Sequence, residues 1–143
     1  MSFRRDQSLG YLVNFLARLF ARRLDRRLEA LGAQVGQFAT LLVLWERDGL
    51  TQTELAQLVA VEQPTMANTL ARMERDGLIR REVDPADRRR SLIYLTDPAR
   101  ALEGPMTAAA TEVLADAAEG LSPAEVETAR RLITRMIANL QRA

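Results

Sequence analysis

Thr65, Asn68, Thr69 and Arg72 follow one another at intervals of three, one and three residues. On a helix this spacing gathers two hydroxyls, an amide and a guanidinium on one face, because residues three and four apart are neighbours there. These groups hydrogen-bond to base edges in the grooves of DNA and to its phosphates. Met66, Leu70 and Met73 recur at four and three through the same stretch and predict that the opposite face is buried. A helix is therefore expected over residues 63–76. A solvated face would more often carry Glu–Arg pairs, yet this stretch alone leaves DNA reading and an ordinary exposed surface both open.

Charge is concentrated again in Asp84-Pro85-Ala86-Asp87-Arg88-Arg89-Arg90, a turn-forming segment ending in three arginines. Before it, Ile79, Arg81 and Val83 alternate with Arg80 and Glu82. After it, residues 91–95 form a second strand-like run containing Ile93, Tyr94 and Leu95. A hairpin with a basic tip is expected. Ahead of the reading helix, Thr51-Gln52-Thr53-Glu54 has the pattern of a capping box, in which the Thr51 hydroxyl accepts from the Glu54 amide and the Glu54 carboxylate reaches back. It opens a short helix, Gln52–Val59, with Leu55, Leu58 and Val59 inward. Ala60-Val61-Glu62 is a tight link, and Pro64 falls in a first helical turn, where its missing N–H is tolerated. Two short helices joined so closely make a helix-turn-helix. Gly77 closes the second helix, and the hairpin after it completes a winged helix.

The remaining elements position that lobe. Leu9, Leu12, Leu16, Leu19, Leu24, Leu28 and Leu31 step at helical intervals, flanked by Val13, Phe15 and Phe20. They predict an amphipathic helix of about six turns ended by Gly32. Its arginines, Arg18, Arg22, Arg23, Arg26 and Arg27, read mainly as a solvated face. A helix over residues 36–46 carries Phe38, Leu41, Leu42, Leu44 and Trp45 and is apolar enough to be buried on several sides, with Trp45 in the core. Thr96 is placed to cap a helix from Asp97 to about residue 118, kinked at Gly104-Pro105 because proline lacks the amide donor and crowds the preceding turn. Ser122-Pro123-Ala124-Glu125 is a second capping box. It starts a last helix with the seam Val126, Ala129, Ile133, Ile137 and Leu140, widened by Leu132 and Met136. The apolar stripes of the two end helices are broader than a small winged core can cover. They are expected to pack together and against a second copy in a two-fold dimer. The fold class is mainly α with a small β-hairpin wing (α+β), in one domain over 1–143. The winged lobe spans 34–96, and the helical dimerisation region spans 1–33 and 97–143.

Composition narrows the chemistry. The 143 residues carry a net charge of only +1, so a nucleic-acid site must come from local clustering. All 20 basic residues are arginine, a side chain suited to forked contacts with phosphate and guanine. With no Cys there is no disulfide, thiolate zinc site or thiol redox switch, and with no His the commonest general base and metal ligand are missing. No metal or other cofactor is expected. The start MSFRRDQSLG lacks the apolar core of a signal peptide. The apolar run at 38–45 is far short of the roughly 18–20 residues that span a bilayer, so a cytoplasmic location without membrane contact is expected.

The order of elements, with Leu55-Ala56, the stretch from Gln63-Pro64-Thr65-Met66 to Asp76-Gly77-Leu78-Ile79, and Asp84-Pro85-Ala86-Asp87-Arg88-Arg89 leading to Leu95-Thr96, resembles the MarR family of bacterial winged-helix transcription regulators. The resemblance covers essentially the whole chain, and its wing pattern is specific. It implies a homodimer, read as a repressor, that places two recognition helices in successive major grooves about 34–36 Å apart on a roughly palindromic site. In such proteins a wing arginine enters the flanking minor groove, steadied by an Asp two residues earlier; here those are Arg89 and Asp87. The resemblance makes Arg88 and Arg90 phosphate contacts, and Thr65, Asn68 and Thr69 base-facing. It leaves Arg72 for bases or phosphate, and Gln63 and Arg75 for the DNA backbone. The family often senses small aromatic or phenolic ligands between the helical region and the winged lobe. Tyr11, Phe15 and Phe38 are candidates to line that crevice, although their plainer role is core.

Two rival functions are weaker. An enzyme would need a phosphate cradle or an activated nucleophile. The seven glycines are scattered singly and the serines have no His to activate them. Glu82, Asp84 and Asp87 alternate with arginines, which suits an ion-paired wing better than an acid/base pair. A winged helix used only for protein contacts would not need the polar reading face or the arginines at the wing tip.

Overall fold

The computed structural model describes residues 2–142. After a short 3-10 turn at Arg5–Gln7, helix α1 runs over Leu9–Glu29, with the Ser8 hydroxyl accepting the Tyr11 N–H at its start. Its end is earlier than the leucine spacing suggested, because Leu31 lies in the closing turn. There the Ala33 and Gly32 amides return to the carbonyls of Leu28 and Glu29, each at 3.1 Å, with Gly32 in the left-handed region at φ +71°. This arrangement satisfies carbonyls a helix end would otherwise leave open.

Helix α2 (Val35–Glu46) is the centre of the packing: Phe38, Leu41 and Leu44 are buried on one side and Gln37 and Thr40 close by. Trp45 packs edge-on to Phe38 at 6.1 Å and donates its indole N–H to the Ala99 carbonyl at 3.0 Å, a core position as expected. Helix α3 (Gln52–Val59) opens on the full capping box at Thr51 and Glu54. Leu55 and Ala56 are its buried residues; Leu58, expected inward, is exposed. A two-turn helix packed along Leu55, Ala56 and Val59 has room for only one apolar edge, and Leu58 lies beyond it. Helix α4 (Gln63–Arg75) follows after three residues and buries Met66, Leu70 and Met73.

Strands β1 (Ile79–Asp84) and β2 (Asp87–Leu95) pair antiparallel from Ile79–Leu95 out to Asp84–Asp87, with a bulge between Val83 and Asp84. The pairing therefore runs into the segment read as a turn. Only Pro85-Ala86 turns, and Arg88, Arg89 and Arg90 lie on β2. Leu50 adds a bridge to Ile93, with the Gly49 amide on the Ile93 carbonyl at 2.7 Å. Gly49 sits at φ +76°, and a Cβ there would stand 3.2 Å from the Tyr94 ring, so both backbone and space require glycine.

Thr96 caps the next helix, which is broken rather than kinked: α5 spans Asp97–Ala101 and α6 spans Glu103–Ala117. Pro105 has no N–H for the Ala101 carbonyl and its ring crowds that group, which places the break at Leu102, before the Gly-Pro pair itself. Helix α7 (Pro123–Gln141) starts on the second capping box.

One continuous core joins these elements: Leu28 from α1, Leu41 and Leu44 from α2, Leu55, Leu70, Ile93 and, from α6, Met106 are fully buried. Helix α1 packs on α6, whereas α7 buries none of its residues. The mainly α, winged α+β architecture is the one expected, and no helix among the described residues is long and apolar enough to cross a membrane.

Candidate nucleic-acid interface

Burial of Met66, Leu70 and Met73 turns the opposite side of α4 to solvent. Thr65, Asn68 and Arg72 are exposed and Thr69 is half-buried. Among the described residues, none of these four side chains makes a hydrogen bond or ion pair, although most other polar groups on the lobe do. Gln63, at the start of α4, is tied across the turn: its amide oxygen accepts from Gln52 at 3.1 Å and its amide nitrogen donates to the Thr53 hydroxyl at 3.2 Å. Thus Gln52 and Thr53, which are not among the residues expected to meet DNA, stand beside this face of α4. The signal was present, since the capping box puts both in the exposed first turn of a helix.

At the other end of α4, Arg75 contacts Asp76 at 3.3 Å. The second carboxylate oxygen of Asp76 accepts from the buried Gln37 at 3.0 Å. That hydrogen bond first, then Arg75, holds the Asp76 carboxyl below its ordinary range. Arg75 is therefore steered by a carboxylate that α2 fixes.

The wing sorts its three arginines. Asp87 accepts from the backbone N–H and Nε of Arg89 at 3.1 Å each, while its other oxygen accepts from Nη2 at 3.2 Å. The Arg89 guanidinium is thereby held upright on a side chain that is 91% exposed. The side-chain bond from Arg89, followed by its backbone N–H, lowers the Asp87 pKa and keeps the cradle charged. Arg90 is different. Its Nε donates at 2.7 Å to Asp84, whose side chain is 8% exposed and also accepts the Ala86 N–H at 2.9 Å. The Ala86 amide, then Arg90, lowers the Asp84 pKa, and Asp84 in turn raises that of Arg90. Arg90 thus braces the turn of the wing, and only the rest of its guanidinium is free. Arg88 is exposed and has no ion-pair partner among the described residues.

Arg47, at the end of α2, is a further exposed cation near the lobe's surface, 3.7 Å from the Glu54 carboxylate. As a lone arginine between two elements it carried no signal in the sequence. The expected effector residues are not gathered. Tyr11 and Phe15 pair on α1 at 6.0 Å between ring centroids, whereas Phe38 is buried against Trp45. A cavity of about 370 Å³ opens between α1 and α6, and none of the three lines it.

A helix-turn-helix with a two-stranded wing, carried on long flanking helices, defines a winged-helix protein. The sequence model of the MarR family matches residues 34–91. A structure of a probable transcriptional regulator from Pseudomonas aeruginosa is 32% identical, with TM-score 0.84 over 93% of this chain and 99% of that one. The S. aureus MepR–DNA complex is 30% identical, with TM-score 0.82 over 92% and 98%. The HTH-type transcriptional regulator TtmR of Methylorubrum extorquens (strain PA1) is 35% identical over 101 residues, which is 71% of this chain and 52% of that protein. The match therefore spans about half the length of TtmR. The chain belongs to the MarR family.

Proposed function

We propose that this protein is a cytoplasmic transcription regulator that binds duplex DNA as a homodimer, acting as a repressor at a pseudo-palindromic site and released by a small ligand. One observation carries the reading: the four polar side chains on the outer face of α4 make no bond within the described residues, and Asp87 holds the Arg89 guanidinium outward on a side chain that is 91% exposed. Thr65, Asn68 and Thr69 are assigned to base edges in the major groove, and Arg72 to bases or phosphate. Arg89, aimed by Asp87, enters the flanking minor groove, where a narrow A·T-rich segment deepens the negative potential. Arg88, Gln63 and Arg75 contact the DNA backbone, and Arg90 does so only with what its bond to Asp84 leaves free. The second copy is the natural cover for the apolar faces of α1 and α7. The relation to TtmR, a transcriptional regulator, and the DNA bound in the MepR structure support the reading.

The test is a salt titration of binding to the duplex upstream of the protein's own coding region, with wild type, Arg89→Ala and Asn68→Ala in parallel. Wild type should bind tightly with a steep log–log salt dependence. Arg89→Ala should weaken all sites and lower the slope by up to about 0.9, the amount one released phosphate counterion contributes. Asn68→Ala should leave the slope unchanged and cost about 1–3 kcal/mol at one or two base pairs only. Equal losses on every sequence for both variants would overturn the assignment of roles. Absence of binding at low salt would overturn the DNA reading itself.

A further inference from the structure

Gln52 opens α3 and Gln63 opens α4, and their side chains join the two helix ends. The Gln52 amide nitrogen donates to the Gln63 carbonyl oxygen at 3.1 Å, and the Gln63 amide nitrogen donates to the Thr53 hydroxyl at 3.2 Å. Thr53 and Gln63 are exposed and Gln52 is half-buried, so the triad lies open to a partner. The helical spacing that aligns Thr65, Asn68 and Arg72 leaves Gln63 out. Its amide is tied to α3 and does not stack with the groups assigned to base edges.

These bonds leave a definite remainder. The two amides carry two N–H groups each and the hydroxyl one O–H. Each internal bond uses one of them, whichever way round the amides are turned, so three donors stay open. Neither neighbouring acid takes them. Glu54 gives one oxygen to the N–H and hydroxyl of Thr51 and turns the other to Arg47 at 3.7 Å, and Glu62 makes no capping bond at the head of α4. Phosphate oxygens only accept, and they take neutral N–H and O–H donors as well as guanidiniums. A long exposed amide loses rotamer freedom when a ligand orders it, and here much of that ordering precedes binding. Resting on the DNA reading above, we infer that Gln52, Thr53 and Gln63 together form an uncharged seat for one backbone phosphate. Gln63 makes the backbone contact already assigned to it, while Gln52 and Thr53 hold its amide and supply the other open donors. The seat ties α3 and α4 to a single point of the backbone and so sets the register in which the α4 face meets the bases. Unlike Arg89, it brings no cation to the phosphate and releases no counterion.

The experiment uses the full chain, in its native oligomeric state, on the duplex upstream of its own coding region, cut to the segment the protein protects from nuclease. A companion series carries one uncharged methylphosphonate in place of each phosphate in turn. On the unmodified duplex Gln63→Ala should weaken binding about tenfold, and Gln52→Ala and Thr53→Val about threefold each. Thr53→Ser, which keeps the hydroxyl, should bind like wild type. All four variants should keep the wild-type salt slope, because none removes a cation. At one phosphate position per bound lobe, the methylphosphonate should weaken wild type by a similar factor and cancel any further loss from Gln63→Ala, Gln52→Ala or Thr53→Val. Three results would overturn the inference. They are losses that combine independently with the methylphosphonate at every position, a loss from Gln63→Ala confined to one base pair (as when its amide reads a base edge), and a salt slope lowered by about 0.9. Absence of wild-type binding at low salt would instead overturn the DNA reading, and the phosphate seat with it.

Discussion

The winged lobe and the end helices use the same apolar residues in opposite ways. In the lobe, the apolar residues of α4 are buried and its outer face is polar, as a helix resting on one core requires. Helix α7 carries an equally regular stripe, yet Leu132, Ile133, Met136, Ile137 and Leu140 are all exposed, and the first half of α1 exposes Leu9, Leu12, Val13, Leu16 and Leu19. Water-exposed apolar area on this scale marks an interaction surface. The lobe is finished by its own chain, and the ends are not. The comparison suggests a division of labour in which the lobe meets a polar partner and the ends meet an apolar one.

The sharpest way to break that comparison is at α7. If the proposed homodimer forms through α7, Leu132→Asp combined with Ile137→Asp should dissociate it while leaving each chain folded, since neither side chain is buried within its own chain. Burying a large aliphatic side chain contributes roughly 1.5–3 kcal/mol, and two-fold symmetry counts each change twice. A loss of at least about 4 kcal/mol, or roughly a thousandfold in the dimer dissociation constant, is expected from sedimentation equilibrium. A variant that still sediments as a dimer would mean that α7 does not form the interface. If the protein unfolds instead, α7 contributes to the core in a way its exposure does not indicate.

The two regions also differed in how well they could be read from sequence. The reading helix, its buried Met66-Leu70-Met73 edge, both capping boxes and the wing strands follow from local patterns, because spacing and cap chemistry act within a few residues. What escaped was set by distant partners. The bridge from Leu50 to Ile93 and the seat of Tyr94 over Gly49 depend on residues more than forty positions apart. The wing is longer than its turn-forming residues suggest, because Asp84 accepts from Ala86 and Arg90 and so lets pairing continue to Asp87. The arginines of α1 looked alike in sequence. Only their placement against α6 separates the ion-paired Arg23 and Arg27 from the open Arg22 and Arg26.

Within the lobe, the contrast between Leu70 and Leu58 sharpens the same point on a smaller scale. Leu70 is fully buried and Leu58 is 59% exposed, although both are leucines on the helices of one motif. Leu70→Ala should cost about 2–5 kcal/mol, the transfer term plus the cavity it leaves. Leu58→Ala should stay within roughly 0.5 kcal/mol. Urea unfolding of the two variants measures both. Similar losses would mean that Leu58 is covered in solution, by DNA-free dimer contacts or by a rearranged α3.

The smallest effect lies in the turn between α3 and α4, where two helix ends in the same lobe solve one problem with different residues. After α4 the Leu78 and Gly77 amides return to the carbonyls of Met73 and Glu74, at 2.8 and 3.1 Å, with Gly77 at φ +75°. After α3 the Val61 and Ala60 amides make the same two bonds to Ala56 and Gln57, at 3.0 and 3.3 Å, but the left-handed position is held by Ala60 at φ +60°. An L-residue with a Cβ is disfavoured there by roughly 1–2 kcal/mol, and glycine is not. Part of that difference is offset by the greater freedom of glycine in the unfolded chain. Ala60→Gly should therefore stabilise the protein by up to about 1 kcal/mol, and Gly77→Ala should destabilise it by a similar amount, both read from urea unfolding. Opposite signs at two sites with the same bond pattern would show that the strain belongs to the side chain and not to the turn. Loss of stability in both variants would mean that Ala60 makes packing contacts worth more than its backbone strain. The turn would then be held by what surrounds it, as the sheet bridge at Leu50 is, and not by its own geometry.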